Sequence, residues 1–530
     1  MKILNQQTLK RILSPNVIML VVILVAAFLR LYRIQDYMSF LGDEGRDVLV
    51  AYNILHGHLT LLGPTSSVGG FFLGPIYYYF MAPFLLLFNY NPVGPAVMVA
   101  LFGIATVWLI YRFCTELFNI KIGIIAAVLY AISPLVISYS RSSWNPNPLP
   151  FFSLLALYVL YKAVEKNSIK LFFLVGILLG IAIQLHYLTL FLGVIVLSFI
   201  ILSQIIDNKK IWTRTIIISV KQNLVVLAGF LIGWSPLLAF ELRHNFLDFR
   251  NISNFVLRSG NTGTNPNFFY TIYDVFFRLF GRLVFYFPAK DQFKLYSLNV
   301  LNVWTAAIII IAAMSILLLL RSFYRSFKSD KKDSKKYLLM LLWIILGVLL
   351  FGFYKKPVYD YYFTFMFPLP FILVGMFIFQ ISDFKKIKGI GKMLAVIILS
   401  AIILLNLRGI PFRFPANKVL NQTETIAKFV DSETGGKPFN FALITSGNSD
   451  HAYRYFLTLW GHPPITIENV QNDPNRKTVT DQLLVICESV PCQPLGNSLW
   501  EIAGFGRAEI AGHWYVSVVE IYKLVRYKGK

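Results

Sequence analysis

Residues 71–88 read "FFLGPIYYYFMAPFLLLF". The stretch is apolar and long enough to be counted as a membrane span, and the side on which every later loop lies depends on whether it crosses. The surrounding chain makes that question matter. It has 530 residues, 56% of them hydrophobic and 14% charged, with a mean hydropathy of +0.62, and apolar runs of membrane length recur along it. A soluble globular protein is excluded, and a polytopic helical membrane protein is implied.

Besides 71–88, such runs lie near 16–33, 93–112, 121–138, 149–163, 170–206, 215–240, 300–320, 337–353, 361–380 and 392–408. The 170–206 run is long enough to cross twice, turning at "QLHYL", which makes about eleven spans. The 49 Lys and Arg outnumber the 26 Asp and Glu, but they sit in short clusters between the runs: Lys10/Arg11, Lys162 to Lys170, Lys209 to Arg214, Arg321 to Lys336 and Lys385 to Lys392. Such clusters mark topology rather than a nucleic-acid-binding face. If 71–88 crossed, the first cluster would be inside and all the later ones outside, the reverse of the positive-inside rule. If it lies against the outer face, every cluster becomes cytoplasmic. Its tyrosine run and two prolines suit an interfacial helix.

The expectation is therefore a mainly α, multi-pass protein of the cell membrane with a cytoplasmic N-terminus. Residues 1–411 form the membrane domain, with outer loops 34–92, 139–148 and 241–298. Its basic opening and long apolar stretch read as a retained span rather than a signal peptide. Residues 412–530 form a small extracytoplasmic α/β domain: "FNFALITS" and "WYVSVVEIYKLV" alternate like strands, and "SDHAYRYFLTLWG" reads as a helix from a cap at Asp450 to Gly461. Cys487 and Cys492 in "CESVPC" either bridge, in an oxidising space, or are two free thiols.

Charges gather just past the first span, in "SFLGDEGRDVLVAYNILHGH" (39–58). Val48, Tyr52 and Leu55 recur at helical spacing, predicting an amphipathic helix over 44–56 stopped at Gly57. Asp43 would cap it and Asp47 would stabilise its first turn; Asp43 is also a candidate general base at the water–membrane boundary. "SYSRSSWNPNPLPFF" brings Arg141, Trp144, Asn145 and Asn147 to the same side, as a proline-stiffened turn or as contacts to an anionic headgroup or sugar. The turn "QLHYL" offers His186 and Tyr187, and "ELRHNFLDFR" offers Arg243 and His244 as phosphate candidates. Asp274, Arg278 and Arg282 fall four apart, as on the wet face of an interfacial helix. Lys355, Lys356 and Tyr361 in "YKKPVYDYYFTFMFPLP" break the inside bias and need another reason to be outside. Together these suit a substrate with a lipid tail and a phosphate head.

The order of these parts resembles the integral-membrane glycosyltransferases of the C superfamily, in particular glycosyltransferase family 39, with its protein O-mannosyltransferases and the lipid A aminoarabinose transferase. "GDEGR", "GPIYYYFMAP", "YSRSSWNPNPLPFF" and "VYDYYFTFMFPLPF" carry the likeness, over roughly the first four hundred residues. It implies transfer of a sugar from a polyprenyl-phosphate monosaccharide to an acceptor hydroxyl on the outer face, with no nucleic acid involved. Asp43 falls on the family's essential aspartate, Glu44 on its neighbour as a second catalytic candidate, and Arg46 on a basic position directed at the lipid phosphate. The acceptor is a protein, a glycolipid or a cell-wall polymer. No metal is obligatory, a divalent ion at Asp43 or Glu44 being the alternative. The chain departs from the pattern where relatives carry a second acidic residue, here Asn147 or Asn145, and where the aminoarabinose transferase has an acid–basic pair, here Leu73 and Gly74. A transporter or flippase of lipid-linked sugars is the rival reading, and it requires ionisable residues at mid-depth in the spans.

Overall fold

The 71–88 stretch holds a helix of only 12 residues, Ile76–Leu87. At 1.5 Å per residue it is about 18 Å long, well short of a hydrocarbon core of about 30 Å. This is a computed structural model, and it describes residues 14–527 apart from 67–68, 208–211, 259, 261, 264–265, 385–387 and 490. Lys10/Arg11 and parts of the clusters at 209–214 and 385–392 lie outside the described residues.

From the N-terminus the helices are α1 (Pro15–Leu31), α2 (Gly42–Leu55), α3 (Ile76–Leu87), α4 (Val93–Leu117), α5 (Ile120–Ile132), α6 (Leu149–Lys166), α7 (Ile169–Leu185), α8 (Leu190–Asp207) and α9 (Trp212–Gly233). In the second half come α10 (Leu247–Leu257), α11 (Phe268–Gly281), α12 (Leu298–Ser329), α13 (Lys331–Leu349), α14 (Pro368–Ser382) and α15 (Lys388–Leu407). Every run expected to cross is helical. Yet among the described residues six helices are long and apolar enough to span by themselves, or seven if the pair 360–366 and 368–382, bent by 59°, counts as one. The difference from eleven has local causes. Pro134 cannot continue the α5 ladder, so Ser133 turns extended and the run resumes as Pro134–Tyr139. Helices α1 and α7 stop at 17 residues.

The tail adds α16 (Val419–Thr434), β1 (Asn440–Ile444), α17 (His451–Leu459), β2 (Gln482–Cys487), β3 (Ala508–Val516) and β4 (Val519–Arg526). Its sheet runs β1-β2-β4-β3, with β1 and β2 parallel and the other pairs antiparallel. The stretch "WYVSVVEIYKLV" is not one strand: Ser517, at φ 57°, turns it into a hairpin of β3 and β4. The central β2, buried along its whole length, has no alternation to betray it. Cys487 and Cys492 are disulfide-bonded.

The tail does not begin cleanly at 412. Phe412 packs against Phe28, Tyr32 and Tyr37 at the end of α1. Beyond it α17 lies along α2: Phe40, fully buried, meets the rings of Tyr455 and Phe456, and the Tyr455 hydroxyl donates to the Tyr90 carbonyl. Much of the tail's core is therefore continuous with that of the membrane domain.

Candidate active site

Helix α2 starts without help from Asp43. Its N-cap is Leu41, whose side chain accepts nothing; instead Glu44, at the third helical position, reaches back to accept the Leu41 N–H at 3.1 Å and the Ser39 hydroxyl. This is the return half of a capping box. Burial raises the Glu44 carboxyl above its ordinary range. Glu44 thus spends its oxygens on the helix start, away from the cavity wall, and the cap expected of Asp43 is supplied by its neighbour. Asp43 is left 56% exposed at the helix end.

Asp43 and Arg46, one turn apart on α2, face a cavity of about 290 Å³. Arg46 donates to Asp43 through Nη1 at 3.0 Å and to Asp47 through Nε and Nη2 at 2.9 and 2.7 Å. Asp47 is fully buried. Burial pushes its carboxyl up to about 7, against the pull of Arg46. Burial works against the Arg46 charge too, but the carboxylates of Asp47 and Asp43 more than offset it and keep the guanidinium protonated.

The opposite wall is aromatic. Trp144 lies 4.4 Å from Tyr361, and His186 stacks on Tyr187 at 4.7 Å and meets Tyr362 at 5.4 Å. His186 Nδ1 accepts the Leu188 N–H at 3.3 Å, so its ring proton is on Nε2 and the imidazole is neutral. Asn145 lines the cavity while its amide donates to the Leu185 carbonyl at 2.6 Å, tying the 141–148 turn to the end of α7. Pro64, Thr65, Ser66 and Leu73 close the side. At Gly74 a Cβ would come within 2.3 Å of the Gln184 side chain, so the residue is small for packing reasons.

Of the residues singled out in the sequence, Asp43, Arg46, Leu73, Trp144, Asn145, His186, Tyr187 and Tyr361 meet here. The others do not. Arg141 is wholly buried and donates to the carbonyls of Leu29, Arg30, Tyr32 and Arg33, ending α1 with a cation where a helix end welcomes one. Asn147 donates to the Ser142 carbonyl at 2.8 Å inside its own turn. Arg243 and His244 are exposed at the end of helix Ser235–Arg243, His244 stacked on Phe240. Lys355 is exposed beside Gly263. The interfacial pattern of Asp274, Arg278 and Arg282 closes on Asp360, which takes Arg278 and Arg282 at 2.6 Å each and so anchors the segment bearing Tyr361 and Tyr362. Sequence reasoning missed Tyr362 and the burial of Asp47. The tyrosine run "YDYY" was the available signal for the first; nothing local announces the second.

This arrangement has relatives. Residues 73–234 match the family described as "Dolichyl-phosphate-mannose-protein mannosyltransferase". The protein described as "Putative mannosyltransferase YycA" from Bacillus subtilis is 26% identical over 163 residues, which cover 30% of this chain and 23% of that protein. The chain thus matches under a quarter of that relative's length. In three dimensions the chain is similar to ArnT from Cupriavidus metallidurans bound to undecaprenyl phosphate, with a TM-score of 0.60, 10% identity, and 96% of this chain and 97% of that one covered. The fold is that of the C-superfamily glycosyltransferases. A second structure supports it: the oligosaccharyltransferase AglB from Archaeoglobus fulgidus, in complex with an inhibitory peptide and a dolichol-phosphate, has a TM-score of 0.52 and 13% identity over 90% of this chain and 70% of that one. The resemblance to glycosyltransferase family 39 read from the sequence stands.

Proposed function

We propose that the chain transfers a monosaccharide from a polyprenyl-phosphate sugar to an acceptor hydroxyl at the outer face of the cell membrane. The observation that carries this reading is Asp43 beside Arg46 in one cavity, Asp43 being the one carboxylate among the described lining residues. The acceptor oxygen forms its bond to the sugar C1 while its proton passes to Asp43. The bond from C1 to the phosphate oxygen breaks, and the electron pair leaves on a phosphate facing Arg46, a guanidinium suited to two-pronged phosphate contact. With no second carboxylate among the described lining residues to form a covalent intermediate, displacement occurs in one step and inverts the configuration at C1. The aromatic wall presents flat faces to the sugar ring and the first isoprene units. That ArnT and AglB were solved with polyprenyl-type phosphates supports the donor class. On this reading the N-terminus is cytoplasmic and the tail extracytoplasmic.

Among the described residues no three His, Cys, Asp or Glu side chains gather to hold a metal ion, and Asp43 and Asp47 already share one guanidinium, so the reading routes no step through a metal. The test uses purified protein and a panel of radiolabelled polyprenyl-phosphate sugars, with and without a chelator. Asp43→Asn should keep donor binding while transfer falls about a hundred- to ten-thousandfold, or roughly 3–5 kcal/mol of barrier. Arg46→Ala should weaken donor binding as well. Near-normal turnover in Asp43→Asn would remove the assignment, and retention of configuration at C1 would remove the single-step mechanism.

A further inference from the structure

On the other side of the α2 N-terminus lies a second cavity, of about 440 Å³, where the tail meets the membrane domain. It opens at the carboxyl ends of the parallel strands β1 and β2 and beside the start of α17, the position at which α/β sheets hold small ligands. Its volume falls within the range of about 300–1,000 Å³ usual for small-molecule sites. Phe40 and Leu41 form one wall, so the cavity ends two residues, or at most about 7 Å of chain, from Asp43. The two elements are stitched together there: Asn448 Oδ1 accepts the Gly42 N–H at 2.8 Å.

The chemistry of the lining is different from that of the first cavity. Its polar side chains are Gln422, Thr423, Thr445, Ser446, Asn448, Tyr453 and Glu488, and it contains no lysine or arginine. Glu488 is already engaged, accepting from Thr445 at 2.9 Å, Asn448 at 2.9 Å and Tyr453 at 2.8 Å, so it fixes the 445–450 loop. Among the described residues, by contrast, the Gln422 and Ser446 side chains have no hydrogen-bond partner, although both line the cavity. A phosphate or carboxylate placed here would meet a carboxylate and no cation. A neutral polyhydroxyl compound would meet an amide, hydroxyls, and the apolar faces of Phe40, Ile426 and Val519.

We infer that this seam cavity binds a neutral saccharide, and that it is the acceptor side of the enzyme: the lipid-phosphate donor lies on the arginine face of α2, and a sugar hydroxyl approaches Asp43 from the tail face. The second half rests on the glycosyltransferase reading above; the binding site itself does not.

The experiment is saturation-transfer NMR on the full-length protein in a detergent lacking a sugar headgroup. The probes are mannobiose, cellobiose and N,N′-diacetylchitobiose, with a glucuronic-acid disaccharide as the anionic comparator. At least one neutral disaccharide should receive saturation, and its affinity should fall about tenfold, or 1.4 kcal/mol, in Gln422→Trp, which fills the cavity, and in the milder Gln422→Leu. Asp43→Asn should bind it as the natural protein does, so loss of transfer with retained saccharide contact bears on the catalytic reading alone. Absence of saturation in all three neutral probes, stronger binding of the anionic one, or equal affinity in the Gln422 variants would overturn the inference.

Discussion

A cation held between two carboxylates exerts less pull on a third anion, and Arg46 is in that position between Asp43 and Asp47. Because burial pushes the Asp47 carboxyl up to about 7, its charge is present above that pH and disappears below it. As pH falls through about 7, Arg46 is less compensated and should hold a lipid phosphate more tightly, by up to about tenfold for one pKa unit of coupling. Donor affinity measured across this range should show the step, and Asp47→Asn should flatten it. The same shift has a stability consequence of fixed sign. Between the ordinary aspartate value of 3.8 and about 7 the folded chain holds a proton that the unfolded chain has released. The contribution of Asp47 to stability is thus complete below about 4 and is lost as pH rises through about 7. Glu44 yields a separate test of role. Gln closes a capping box as Glu does, so Glu44→Gln should keep transfer within a few-fold of normal, whereas Glu44→Ala should destabilise the helix by about 1 kcal/mol. A collapse of activity in Glu44→Gln in a folded protein would return Glu44 to the catalytic set.

Helix α2 is short and is held from two sides. Two of its glycines are contact points: a Cβ at Gly45 would come within 2.3 Å of the Ala452 backbone nitrogen, and one at Gly42 within 2.0 Å of the Ser449 hydroxyl. Gly45→Val should therefore push α17 off α2 at a cost of about 1–3 kcal/mol. Limited proteolysis would report this as faster release of the tail, together with lower transfer from a misplaced Asp43. On the other side α3 packs Tyr77, Tyr78 and Met81 inward. If α3 lies on the outer face, a cysteine placed in the 89–92 turn is labelled by an impermeant thiol reagent from outside and one at Lys332 is not. Cytoplasmic labelling of that turn would invert the orientation of every later helix.

At the scale of the molecule, the tail is a structural partner of the site. Removing residues 412–530 would uncover Phe40 and take away the Asn448 contact to Gly42, so the truncated chain should lose donor binding along with transfer. A folded truncation that binds donor normally would show that α2 stands without its buttress. The periodicity of apolar runs and the placing of basic clusters were enough, in the sequence alone, to indicate a polytopic helical protein, a helix stopped at Gly57 and a charged cluster beginning at Asp43. These are local properties, set by hydropathy over one segment at a time. What the tertiary structure decided is which charges face the cavity. Arg141, Glu44 and Asp47 look in sequence like companions of Asp43, but the first closes α1, the second closes the start of α2 and the third is buried beneath Arg46. A side chain's role depends on which unsatisfied backbone group or buried neighbour lies within reach, and those neighbours come from segments as much as a hundred residues away.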